Sequence, residues 1–319
     1  MLRNSLIFLS QSSAAKTVVT RTPLRTMARR FVPGEKVDDL VRAVRAANAE
    51  GMSATGNYLG ESVHDEPNAR RAADIYLRIL DRIHDEKLDA NISLKFTQLG
   101  QDISETFLAQ NLGRVLERAR ETDTFIRFDM ESSEYTQRTL DAFEKLWAQG
   151  WRNIGVVLQS YLKRSAGDVA RMNELGARVR LCKGAYAEPP SVAFQEKAQV
   201  DDSFVELTRM LLAGGNYPAI ATHDERMIAA TVDFAEREGI ARERFEFQML
   251  HGVRRDLQAQ LVKDGYRVRA YVPFGEHWYP YLMRRLAERP ANMLFFAGSV
   301  VKESPLGFLW PGGRNGGRE

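Results

Sequence analysis

The feature that most limits the fold of this chain is a strand–helix rhythm that starts near Ser53 and runs through eight rounds. Short apolar or β-branched stretches occur at Ser53–Leu59, Ala90–Phe96, Thr124–Glu131, Ile154–Ser160, Ala177–Gly184, Ala219–Asp224, Arg244–Leu250 and Tyr266–Phe274. Between them lie segments of helical period: Asn68–Lys87, Ile103–Thr122, Thr136–Gln149, Gly167–Leu175, Asp202–Ala213, Glu225–Glu238 and Arg254–Lys263. Gly150, Gly176, Gly214, Gly239 and Gly265 each follow such a segment, as C-terminal capping glycines do. Regular alternation of this kind predicts an α/β chain closed into a (β/α)8 barrel of the TIM type.

Residues 35–50 read as an amphipathic helix with Val37, Leu40, Val41 and Val44 on its apolar face. The expected organisation is a helical arm over residues 1–50, a catalytic barrel over 51–300 and a partly disordered tail over 301–319. Residues 1–34 hold no acidic residue and are rich in Arg, Ser and Thr. A basic arm with Leu2, Leu6 and Leu9 packed on the body is the expectation; a mitochondrial transit peptide shares that composition. A net charge of +3 from 45 basic and 42 acidic residues gives no reason to expect nucleic acid. Cys182 is the lone cysteine, which excludes an internal disulfide and a cysteine-based metal site. The apolar runs are too short for a membrane span, so any membrane contact is expected to be peripheral.

In a barrel of this kind, chemistry sits at the C-terminal ends of the strands. The polar residues placed there are Lys95 on strand two, Asp129 and Glu131 on three, and Gln159 on four. Strand five brings Arg180 and Lys183, strand six Thr222 and His223, strand seven Gln248 and strand eight Tyr271. Taken singly, each has a bland reading: Lys95–Asp129 as a structural ion pair on neighbouring strands, Gln159 as a core hydrogen-bonder, His223 as a satisfied interior histidine. Their delivery at one end by strand after strand favours a site. No GxGxxG follows a strand, and neither His64-Asp65-Glu66 nor Thr222-His223-Asp224 has zinc-site spacing, so no metal is expected. After strand eight, Tyr281-Leu282-Met283-Arg284-Arg285-Leu286-Ala287-Glu288 reads as a helix ending before Pro290. Tyr281, Arg284, Arg285 and Glu288 share one face, with Leu282 and Leu286 on another. Two adjacent guanidiniums suit a carboxylate or phosphate.

Lys95, Asp129-Met130-Glu131, Gln159-Ser160-Tyr161-Leu162, Arg180 with Lys183-Gly184-Ala185-Tyr186, Thr222-His223-Asp224, Phe245 to Leu250, and the Tyr281 to Glu288 helix occur in the order seen in proline dehydrogenases. The chain resembles the monofunctional bacterial members of that family from about Phe31 to about Ala297. The resemblance implies a distorted barrel whose last helix lies over the mouth. It implies FAD-dependent oxidation of L-proline to Δ1-pyrroline-5-carboxylate, by hydride transfer from C5 to flavin N5, with electrons passed to a membrane quinone. It also implies a bacterial cytoplasmic or peripheral membrane location. Carried over by position, Asp129 and Arg180 are catalytic, and Lys95, Arg284 and Arg285 bind the substrate carboxylate. Tyr271, Tyr281, Tyr186, Leu250 and Glu288 shape the pocket. Met130, Gln159, Arg180, Lys183, Gly184, Ala185, Thr222 and His223 hold FAD, and Asp129 pairs with Lys95 beneath the site. Two other readings are open to such a barrel: a lyase or aldolase using Lys95 or Lys183 as a Schiff-base amine, and a non-catalytic amino-acid binder.

Overall fold

The computed structural model describes residues 28–60 and 62–288, with the course of the helix alone over 284–288. Most of the expected arm and all of the expected tail lie outside the described residues. The strands are β1 (Ser53–Tyr58), β2 (Ala90–Leu94), β3 (Ile126–Phe128), β4 (Ile154–Gln159), β5 (Arg178–Cys182), β6 (Ala219–Ala221), β7 (Glu246–Leu250) and β8 (Val268–Phe274). All pair in parallel with their sequence neighbours, and β8 returns to β1 with Ala270 opposite Ala54, which closes the barrel. The helices are α1 (Val37–Ala49), α2 (Glu66–Asp85), α3 (Glu105–Glu121), α4 (Ser133–Ala148), α5 (Ser165–Leu175), α6 (Lys197–Gly214), α7 (Glu225–Arg237), α8 (Arg255–Lys263) and α9 (Trp278–Glu288).

Local chemistry accounts for where these elements start and stop. Asp65 accepts from the Asn68 amide and Ser104 from the Phe107 amide, capping α2 and α3. β6 was expected to reach Asp224 but stops at Ala221. There the Asp224 amide donates to the Thr222 hydroxyl, and the Asp224 carboxylate accepts from the Arg226 amide to cap α7. β3 is likewise short: Asp129 donates its amide to Leu94 O at 2.8 Å, after which the chain leaves the sheet. Four of the five expected helix-stop glycines adopt positive φ, but Gly214 is the last residue of α6 and does not.

The outward residues of the strands form one apolar layer with the helices, including Ala54, Ile92, Phe128, Val156, Leu181, Ile220, Phe247 and Val268. α1 contributes Leu40, Val41 and Val44 to this same core and packs on β1 and β8. It therefore occupies the seam where the helix after β8 sits in a regular barrel. That helix, α9, lies over the mouth instead, where Tyr279, Tyr281 and Leu282 pack with Ala28, Val32 and Leu59.

The inside of the barrel is polar. Thr55, Asn57, Ser93, Arg127, Gln159, Arg180, Glu246 and Gln248 are all buried. Gly155 makes room for one of them: a Cβ there would lie 2.5 Å from Arg178 O and 2.9 Å from Arg127 Nη1. Arg127 uses that space to donate to the carbonyls of Val156 and Arg178 at 3.3 and 2.8 Å. Burial holds the Arg127 guanidinium well below its ordinary pKa, with Arg180 adding to the shift.

Candidate active site

A cavity of about 490 Å³ opens at the C-terminal ends of the strands, under α9. Its floor is organised around Asp129. One carboxylate oxygen accepts from Arg180 Nη1 at 2.7 Å, and the other from the Tyr271 hydroxyl at 2.6 Å. Lys95, the neighbour expected to pair with Asp129, makes no hydrogen bond or ion pair with it, nor with any other of the described residues. The sequence placed these two on adjacent strands, but the side chains that reach Asp129 come from β5 and β8, across the barrel. Lys95 remains a cavity-lining cation.

Arg180 is gripped along its length. Nη1 also donates to the Ser93 hydroxyl at 3.0 Å, Nε donates to Gln248 Oε1, and the guanidinium lies 5.1 Å from the centre of the Tyr271 ring. Desolvation and the adjacent Asp129 carboxylate raise the Tyr271 phenol well above its ordinary pKa, so it serves as a hydrogen-bond donor. Beneath Gln248, its amide nitrogen donates to Glu246, and Arg269 Nε donates to both Glu246 oxygens at 2.9 and 3.1 Å.

Two buried polar atoms of this floor have no partner among the described residues: Arg180 Nη2 and Gln159 Oε1. An orphaned buried donor and acceptor beside a cavity are costly unless a ligand completes them. Gln159 Nε2, by contrast, reaches Glu131 O at 3.3 Å.

The rim is formed by the loop after β5 and the start of α7. Lys183 Nζ lies between Asp201 and Asp224, at 2.5 and 2.9 Å. Gly184, at φ +108°, sits against the Tyr161 ring, and a Cβ there would come within 2.2 Å of it. Ala185 and Tyr186 follow along the wall. His223 accepts the Leu250 amide at 2.8 Å through Nε2, tying β6 to β7. Met130, Thr222 and Leu250 also line the cavity, and Tyr281 and Leu282 form its roof. Leu282, expected to pack away from the polar face, is thus part of the cavity wall. Arg284, Arg285 and Glu288 continue α9, but their side chains lie outside the described residues.

Asn57, Phe31 and Asp201 were not among the expected site residues. Asn57 and Phe31 line the cavity. Asp201 is buried on α6, in helical phase with Phe204, Thr208 and Leu211. A carboxylate on an otherwise buried stripe was the signal that could have found it.

A closed barrel with a polar, partly unsatisfied cavity at the C-terminal ends of its strands defines a barrel enzyme. The proline dehydrogenase family matches residues 40–297, and the chain belongs to that family, among the oxidoreductases of proline catabolism. It is 38% identical over 303 residues to proline dehydrogenase 1 of Bacillus subtilis, covering 95% of this chain and 100% of that one. It is 38% identical over 288 residues to a proline dehydrogenase of Deinococcus radiodurans, covering 89% and 93%. Among solved structures, it matches proline utilization A from Bdellovibrio bacteriovorus inactivated by N-propargylglycine, with a TM-score of 0.80 and 27% identity. That match covers 93% of this chain but 36% of the other, so the chain corresponds to about a third of that longer protein.

Proposed function

We propose that this chain oxidises L-proline to Δ1-pyrroline-5-carboxylate with bound FAD, in the cavity beneath α9. The observation that carries the reading is a pair of buried atoms, Arg180 Nη2 and Gln159 Oε1, that have no partner among the described residues, beside Lys95, which has no ion-pair partner among them either. They are the donor, acceptor and cation that a flavin and an amino-acid carboxylate require. The cofactor fits this donor set: Met130, Gln159, Arg180, Lys183, Gly184, Ala185, Thr222 and His223 would hold it along the floor and rim. FAD, when bound, supplies the hydride acceptor for C5 of proline.

The residues of the chain supply orientation and charge. Lys95 binds the substrate carboxylate, joined by Arg284 and Arg285 from α9, whose planar forks suit it. Tyr271, Tyr186, Tyr281, Leu250 and Glu288 shape the space for the ring. Asp129 fixes the Arg180 guanidinium and the Tyr271 phenol, so that a cation is in place before charge develops beside it. Tyr281 and Leu282 keep water out. The electron acceptor proposed is a membrane quinone, reached by peripheral contact from the bacterial cytoplasmic side. Among the described residues no helix is long and apolar enough to cross a membrane.

An anaerobic absorbance spectrum before and after L-proline tests this reading. Flavin bands that bleach on addition are the expected result. A protein that neither carries nor takes up FAD, or whose flavin stays oxidised, refutes it.

A further inference from the structure

β7 carries two buried polar residues that the proposed site leaves without a role, Glu246 and Gln248. They sit one above the other on the inner face of β7. A glutamine amide can point either way, but here its direction is fixed from below. The Glu246 carboxylate can only accept, so the Gln248 amide nitrogen turns down to it and Oε1 turns up. Oε1 is then the acceptor for Arg180 Nε. Glu246 is itself pinned by Arg269, whose Nη1 also donates to Ala54 O at 2.8 Å, and by the Tyr217 hydroxyl at 3.2 Å. Burial pushes the Glu246 carboxyl up, but Arg269, Gln248 and Arg127 together hold it below its ordinary pKa.

We propose that Glu246 and Gln248 are positioning residues for Arg180. Gln248 takes Nε, Asp129 and Ser93 take Nη1, and Nη2 is thereby the nitrogen left over for a ligand beside the cavity. The guanidinium above and the carboxylate below select the same orientation of the amide; without the carboxylate its nitrogen loses its acceptor, the amide is held from one side only, and the guanidinium can turn about its long axis. This rests on the proposed function only in taking the ligand to be FAD.

The test is a double-mutant cycle between Gln248→Met and Arg180→Met, on holoenzyme. Methionine keeps the volume at Gln248 and leaves the Glu246–Arg269 pair in place. Gln248→Met should still fold, with a lowered melting temperature, and slow flavin reduction by L-proline roughly ten- to a hundredfold, as loss of a hydrogen bond to a charged group does. The flavin midpoint potential should shift in the same direction in both single variants. In the Arg180→Met background, Gln248→Met should add nothing to either readout. Full additivity, or parental rate and potential in Gln248→Met, overturns the proposal. Should Gln248→Met fail to fold, Gln248→Leu makes the same cycle with the same outcomes. A parent protein whose flavin is not reduced by proline refutes the function instead; binding of added FAD to the unloaded parent and variants, followed by fluorescence, then reads the same cycle without turnover.

Discussion

Two buried arginine–carboxylate pairs lie inside this barrel, and they are finished to different degrees. The lower one, Arg269–Glu246, is closed. Arg269 donates to both carboxylate oxygens and to Ala54 O, and Glu246 also receives Tyr217 and Gln248. The upper one, Arg180–Asp129, is just as well held but leaves Nη2 of the arginine without a partner among the described residues. A closed pair fixes the barrel's interior; an open pair keeps part of its hydrogen-bonding capacity for something that arrives later.

Removing a partner from each pair should separate these roles. Glu246→Ala leaves Arg269 with a carbonyl for its remaining contact, and is expected to cost roughly 3–5 kcal/mol of stability. Thermal or denaturant unfolding reads this, and a change below about 1 kcal/mol would mean the lower pair is not structural. Asp129→Ala should cost less, about 2–3 kcal/mol, because Ser93 and Gln248 still hold Arg180. Its catalytic loss should exceed its stability loss; proline turnover at the parental rate would erase the distinction between the pairs. Lys95→Met sharpens the contrast further, since this cation has no ion pair to lose among the described residues. Stability should move by no more than about 0.5 kcal/mol, while kcat/KM for proline falls roughly ten- to a hundredfold, about 1.5–3 kcal/mol.

The buried His251 should respond to acid in the same sense as the carboxylate of a pair, but over a higher pH window. Burial, aided by Arg255, lowers the His251 pKa to about 4. The folded state then binds fewer protons than the unfolded state, whose histidine titrates near 6.5. Stability from this group is complete above pH 6.5 and is lost as the pH falls toward 4, by about 1–2 kcal/mol once partial exposure is allowed for. Replacing His251 by Asn should flatten the unfolding free energy over that window; an unchanged slope counts against it. The smallest effect is expected at the surface, where Arg114–Asp74 links α3 to α2 at 2.6 Å with both side chains about half exposed. Asp74→Ala should cost 0–1 kcal/mol, and a larger melting shift would show that solvent does not screen that pair as supposed.

The barrel was legible because its eight strands alternate with amphipathic helices, and periodicity survives without knowledge of packing. The end of the barrel that holds the cavity was legible for the same reason: Lys95, Gln159 and His223 fall at or just past the ends of their strands, and Arg180 and Tyr271 sit mid-strand and line the same cavity. Partners were not. Strand order makes Lys95 and Asp129 neighbours, but inward side chains meet across the barrel, and reach depends on length and on what stands opposite. Tyr271 and Arg180 are long enough to meet Asp129 from β8 and β5. Asp201 was missed because it acts from a helix outside the barrel, reaching Lys183 past the end of β5. The lower pair was passed over because Glu246 lies early in its strand, away from the end where function was sought.

The seat of α1 at the β8–β1 seam has a consequence for how the chain is made. Ala54 pairs with Ala270, and Arg269 bonds Ala54 O across the same seam, so the first strand emerges long before its second neighbour exists. Until β8 is synthesised, β1 has one bare edge, and the apolar face of α1 has half of its docking surface missing. Of the elements described, those translated first are thus among the last to be locked, and closing the seam joins the two ends of the barrel at the greatest sequence separation the sheet contains. Between those two moments an unpaired strand edge and an unburied helix face stand open together, which makes the nascent chain, rather than the finished enzyme, the state most exposed to aggregation.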